Sequence, residues 1–146
     1  MSSKVLVLNG PNLGRLDIRD SAVYGDLNFE QLSKFISEAA QNLGFDADIR
    51  QSDNESEIIS WLHEAADSRI PVIINPAAFT HYSYAIRDAA ELLKAPLIEV
   101  HLSNPLAREE FRHTSVISGI ATGTIAGFGP NSYALALDAL RKILDK

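Results

Sequence analysis

The chain has 146 residues, the length of one domain, and at that length a single core buries roughly 68–70% of the unfolded surface without staples. It has no cysteine, which excludes a disulfide scaffold, a thiolate zinc site, an iron–sulfur cluster and a cysteine nucleophile, and which fits a reducing cytoplasm. Thirteen basic against nineteen acidic side chains give a net charge of −6, against a nucleic-acid or acidic-membrane partner.

The first apolar run, Val5-Leu6-Val7-Leu8, is broken at once by Asn9-Gly10-Pro11. It is too short for a signal peptide or for the ~20 residues of a membrane helix, and it suits a buried strand. Residues 9–27 hold three glycines and a proline without period and read as a long loop, of the kind that often carries function. Asn28, with Gln31 three residues on, opens a helix through Leu43 that Gly44 closes. Phe45–Gln51 alternates as a half-buried strand, and a helix follows Asp53 with Ile58, Ile59, Leu62, Ala65 and Ala66 on one stripe. Residues 71–75 form the third strand, 83–94 the third long helix and 96–102 the fourth strand. Ala107–Phe111 reads as a helical turn. Residues 120–128 form a glycine-rich fifth strand, and the last helix starts near Pro130.

Strands alternating with helices imply right-handed βαβ units and a parallel sheet covered on both faces. The expected fold is α/β: a flavodoxin-like three-layer sandwich with a five-stranded parallel sheet of order 2-1-3-4-5. No repeat or linker divides the chain, so residues 1–146 read as a single domain. In this architecture ligands bind beyond the carboxyl ends of the strands, near the switch point between strands 1 and 3.

Those ends carry Asn9-Gly10-Pro11-Asn12, then Asn75-Pro76 through Thr80-His81, then His101-Leu102-Ser103-Asn104. Each set alone is ordinary turn chemistry; three at one rim point to a ligand site. Four of the eight arginines, Arg15, Arg19, Arg108 and Arg112, fall in the loops after strands 1 and 4. Arg108 and Arg112 are four apart, which a helical turn places on one face, where they either pair with Glu109 and Glu110 or grip an anion. No lysine lies in the loops beyond those strand ends, which argues against imine catalysis. Glu99 and His101 are two apart on one strand and face the same way, so the carboxylate fixes the imidazole tautomer. His101 is then a proton donor or a structural histidine. His81 either donates to a substrate oxygen or caps the next helix. Tyr24 either packs its ring on the fold or acts as a base beside Arg19 and Arg108, since opposite charge within ~4–6 Å favours an ionised phenol. Nucleophile-elbow, phosphate-loop and zinc-helix motifs are absent.

Asn9-Gly-Pro-Asn-Leu-Gly-Arg-Leu through Arg19 to Tyr24-Gly25, Asn75-Pro-x-x-x-Thr-His81, Glu99-Val-His-Leu-Ser-Asn and Arg108-Glu-Glu-Phe-Arg112 together resemble type II 3-dehydroquinate dehydratase from end to end. The resemblance implies reversible anti elimination of water from 3-dehydroquinate to 3-dehydroshikimate through an enolate, in the shikimate pathway. It implies no metal or organic cofactor, and trimers assembled into a dodecamer in the cytoplasm. It makes Tyr24 the base, Arg19 its activator, His101 the acid, Asn12 the holder of a water at the enolate and Arg108 a neighbour of the tyrosine. It gives substrate binding to Asn75, His81, Leu102, Ser103 and Arg112, with Asp88 reaching a neighbouring subunit. The chain departs from the usual pattern at Asp17 (usually Gly), Ser21 (usually Pro), Ala77 (usually Gly) and Leu106 (often His). The first two fall in the lid and bear on its closure. The competing reading is a non-catalytic module for small carboxylates, and flavin binding is a poor fit to Gly10-Pro11-Asn12-Leu13.

Overall fold

The computed structural model describes residues 3–24 and 26–146, so Met1, Ser2 and Gly25 of the lid motif lie outside the described residues. Strand β1 (Ser3–Asn9) buries Val5 through Leu8 completely or nearly so. Successive strand side chains face opposite ways. Val5 and Val7 therefore enter one apolar cluster, and Leu6 and Leu8 enter the other. Burial on both faces is why the run is continuously apolar rather than alternating.

β1 pairs with β2 (Phe45–Gln51) on one side and with β3 (Val72–Asn75) on the other, with β4 (Leu97–His101) and β5 (Gly123–Ala126) beyond β3. Every pairing is parallel, and the order is 2-1-3-4-5, as expected. The β1–β3 register sets Asn9 beside Asn75 at the carboxyl rim.

The helices are α1 (Ser21–Tyr24), α2 (Phe29–Asn42), α3 (Glu55–Ser68), α4 (Tyr84–Ala90) and α5 (Asn131–Leu144). Leu32 and Ile36 of α2 and Leu137 and Leu140 of α5 cover the Val5–Val7 face. Ile58 and Leu62 of α3 and Ile86 of α4 cover the Leu6–Leu8 face. Each fully buried Leu or Ile contributes roughly 1.5–3 kcal/mol. At the start of α2 the Gln31 N–H donates to Asn28 Oδ1 at 2.8 Å, and the Asn28 N–H donates to Gln31 Oε1 at 3.0 Å. Among the described residues no helix is long and apolar enough to cross a membrane.

Several local expectations change. The loop of 9–27 contains a 3-10 helix, Leu13–Ile18, and then α1. The helix expected after Asp53 begins at Glu55 with Asn54 as its cap, while Asp53 accepts from the Asn12 N–H at 2.9 Å and from Gln51 Nε2 at 3.0 Å. α4 stops at Ala90, where the bonds of Leu92 and Leu93 shorten to the residues three back. β5 is confined to four residues, Gly123–Ala126, the register partners of Ile98–His101 on β4. The helical turn at 107–111 is not there. Short 3-10 turns at Pro105–Ala107 and Glu110–His113 flank an extended Arg108. Arg108 and Arg112 therefore come to one place by a bend of the chain, not by helical spacing.

Candidate active site

The chain leaves β1 toward β2 on one side and leaves β3 toward β4 on the other, and the loops beyond β1, β3 and β4 frame a cleft at that divide. Close approach of two of these loops requires Gly10, whose Cβ would lie 2.5 Å from the Pro76 carbonyl oxygen. The cleft has about 500 Å³ of free space open to solvent. It is lined by Asn12, Arg19, Tyr24, Asn75, His81, His101, Leu102, Ser103, Arg108 and Arg112. Glu99 lies behind His101, fully buried. Asp88 lies on α4, exposed, and does not line the cleft.

One wall is the lid. Leu13 and Leu16 sink into the core beside α2 and anchor it, while Arg15 pairs with Asp17 at 3.2 Å in solvent. Arg19 is extended, and Asp20 Oδ1 accepts from the Ala22 N–H at 3.0 Å, which starts α1 and carries Tyr24 over the cleft. The Arg19 guanidinium carbon stands 3.5 Å from the centre of the Tyr24 ring. Arg108 Nη2 donates to Tyr24 Oη at 2.7 Å, and its Nη1 donates to Ser103 Oγ at 3.3 Å. Burial lowers Arg19 from its ordinary guanidinium value, assisted by the like charges of Arg108 and Arg112 and opposed by Tyr24. Cations crowded in this way favour an anion among them.

The opposite wall holds the imidazole. His101 Nε2 lies 2.5 Å from Glu99 Oε2, and a carboxylate only accepts, so Nε2 carries the proton. The same oxygen accepts from Thr80 Oγ1 at 2.5 Å, and Ser118 Oγ donates to Oε1. Thr80 spends its single proton on Glu99, so Ser115 Oγ, 2.6 Å away, donates to Thr80. Burial pushes the Glu99 carboxyl up, but the His101 hydrogen bond and charge and the Ser118 and Thr80 donors outweigh it and hold it below the usual value. The expected carboxylate–imidazole pair is present with its tautomer fixed.

Of the two roles expected for His81, the cap falls to another residue. Ser83 caps α4, so His81 does not. His81 Nδ1 donates to the Thr114 carbonyl at 2.8 Å, which leaves Nε2 of the neutral ring an acceptor rather than a donor. Arg112 is held by Glu109 at 3.1 Å, so the carboxylate pairing and the place on the cleft coexist. Ala77 adopts φ 52°, a left-handed backbone that favours glycine.

Thr80 was visible only as part of a motif, and Ser115 and Ser118 carried no signal. Serines in an irregular segment are common, and only the fold shows that they face a buried carboxylate. Among the described residues no group of three or more metal-ligating side chains is placed to hold an ion.

A flavodoxin-like sheet with a phenol, three guanidiniums and a carboxylate-backed imidazole at its strand ends defines a class, the acid–base enzymes of small anionic substrates. The family model for dehydroquinase class II matches residues 3–141. A 3-dehydroquinate dehydratase of Salinispora tropica is 55% identical over 137 residues, covering 94% of this chain and 96% of that protein. One from Caldicellulosiruptor bescii is 54% identical over 143 residues, covering 97% of this chain and 99% of that protein. The crystal structure of the type II dehydroquinase from Propionibacterium acnes superposes with a TM-score of 0.95 at 53% identity, covering 97% of this chain and 98% of that one. The chain belongs to the type II dehydroquinase family, the hydro-lyases that act on 3-dehydroquinate.

Proposed function

We propose that residues 1–146 form one catalytic domain that removes water from 3-dehydroquinate by an anti elimination through an enolate, giving 3-dehydroshikimate. Tyr24 takes the proton alpha to the ketone. The electron pair left on carbon becomes an enolate, steadied by a water held at Asn12. The carbonyl then re-forms, a carbon–carbon double bond closes, and the hydroxyl beta to the ketone departs with a proton from His101. One proton gained by Tyr24 and one lost by His101 balance the loss of water, and exchange with solvent resets both.

The observation that carries this reading is Tyr24 Oη held at 2.7 Å by Arg108 with Arg19 over its ring, in the cleft that also holds His101. A charge formed on that oxygen meets two guanidiniums, which favours it. His101 serves as an acid in its imidazolium form. Nε2–H stays on Glu99, whose negative charge offsets that of the ring, and Nδ1 delivers the proton. Asn75, the Nε2 acceptor of His81, the Leu102–Ser103 backbone, the Ser103 hydroxyl and Arg112 hold the substrate's hydroxyls and carboxylate. We assign Asp88 to a neighbouring subunit's site in trimers grouped as a dodecamer, and place the enzyme in the cytoplasm on the shikimate pathway.

The test is addition of 3-dehydroquinate to purified protein while the enone band is followed. Absorbance grows if the reading is right. A flat trace with bound substrate leaves the non-catalytic carboxylate-binding module in its place.

A further inference from the structure

Asn75 and Tyr133 are far apart in sequence, and Tyr133 belongs by spacing to the apolar stripe of α5. Tyr133 is fully buried, yet its hydroxyl is not idle. It donates to Asn9 Oδ1 at 2.6 Å and accepts from Asn75 Nδ2 at 2.9 Å. Asn9 Nδ2 donates to the Arg50 carbonyl at 3.1 Å, and Asn75 Oδ1 accepts from the Ala77 N–H at 3.1 Å.

The polarity of this chain is fixed at both ends. A backbone carbonyl only accepts, so the Asn9 group facing Arg50 is its NH₂ and the group facing Tyr133 is its oxygen. A backbone N–H only donates, so the Asn75 group facing Ala77 is its oxygen and the group facing Tyr133 is its NH₂. Each link then has one consistent direction. Burial pushes the Tyr133 phenol well above its ordinary value, so its proton stays on to serve Asn9. Asn9 and Asn75 are register partners at the ends of β1 and β3, and Tyr133 reaches them from α5. One Asn75 N–H is spent on Tyr133. Among the described residues the second N–H has no partner, and Asn75 lines the cleft.

We propose that Tyr133, with Asn9, is a positioning residue that locks the Asn75 amide so that its second N–H donates to a hydroxyl or carbonyl oxygen of the substrate. The inference rests on the proposed assignment of Asn75 to substrate binding. A Tyr133→Phe variant keeps the ring and removes the joint. The Asn75 amide is then held only at its oxygen, by the Ala77 N–H, and loses the bond that aims its NH₂, so KM rises roughly three- to tenfold, the worth of a neutral hydrogen bond, while kcat stays within about twofold. A merely structural tyrosine would lower the melting temperature and leave the KM of the folded enzyme alone.

The decisive measurement is a double-mutant cycle in 3-dehydroquinate turnover, run below the melting temperature of each variant. Asn75→Ala raises KM, and Tyr133→Phe adds nothing further in that background. If Tyr133→Phe leaves KM unchanged while Asn75→Ala raises it, or if the two increments multiply, the positioning role is wrong and the binding role of Asn75 stands. If Asn75→Ala itself leaves KM unchanged, the substrate-binding assignment fails and the inference falls with it. Should Tyr133→Phe not fold, Asn9→Ala breaks the chain at its other joint and must raise KM likewise. An unchanged KM in that variant overturns the proposal.

Discussion

Tyr24 carries the sharpest expectation at the scale of single residues. Tyr24→Phe keeps the ring under Arg19 and removes only the oxygen that Arg108 holds. Steady-state kinetics should show kcat reduced by roughly 10²–10⁴, the usual loss for a general base, with KM nearly unchanged. Retention of most of the turnover would move the base to His81, His101 or Glu99. Glu99 makes a second expectation, about acid. Its native carboxyl sits below the ordinary 4.5, under burial that opposes the shift and His101, Ser118 and Thr80 that produce it. A lowered native value means that the unfolded chain binds the proton more readily. The stabilisation is therefore complete above about pH 4.5 and is lost as pH falls through the native value. Urea midpoints from pH 6 downward should fall over that window in the wild type. The fall should be shallower in Glu99→Gln, which has no proton to bind there.

At the scale of elements, Ala77 follows β3 in a left-handed backbone, φ 52°, with its N–H on Asn75 Oδ1. Ala77→Gly should raise stability by up to about 1 kcal/mol, since glycine takes that conformation without the strain of a Cβ. Denaturant unfolding at constant slope would show it, and a loss of stability would mean that the turn carries no strain. Elements were legible where one rule governed them. The run Val5–Leu8 and the Asn28–Gln31 box specify a strand and a helix start regardless of context. They were less legible where distant partners decide. The Asp53 carboxylate ties the loop after β2 to the Asn12 backbone, and β5 extends only as far as its four register partners on β4. The candidate site divides the same way. Glu99 and His101 share a strand face by simple alternation, so their pairing could be read. Arg108 meeting Tyr24, 84 residues away, could not be derived from spacing, and it was anticipated by the family resemblance. Tyr133 looked like one more apolar position because ring and hydroxyl obey different rules, one of burial and one of partners.

At the scale of the whole molecule, Asp88 and the exposed aromatics are the features a monomer leaves unexplained. Tyr82, Tyr84 and Phe111 are all exposed near α4 or the loop after β4, and Asp88 stands on α4 outside its own chain's cleft. Light scattering should give a mass far above the 16.0 kDa of one chain. Asp88→Ala should lower activity while leaving the melting of the fold unchanged. A fully active monomer would contradict the assembly.

The lid divides into an anchored part and a working part. Leu13 and Leu16 hold the first to the core, whereas Asp17, Ile18, Asp20 and Ser21 beyond them are exposed. Surface positions of that kind shift stability by little, usually within about 0.5 kcal/mol. Substitutions there can alter how the segment covers the cleft with little change in melting. Asp17 and Ser21 both fall in that exposed part. Selection can retune turnover there by single substitutions without drawing on the stability of the sheet.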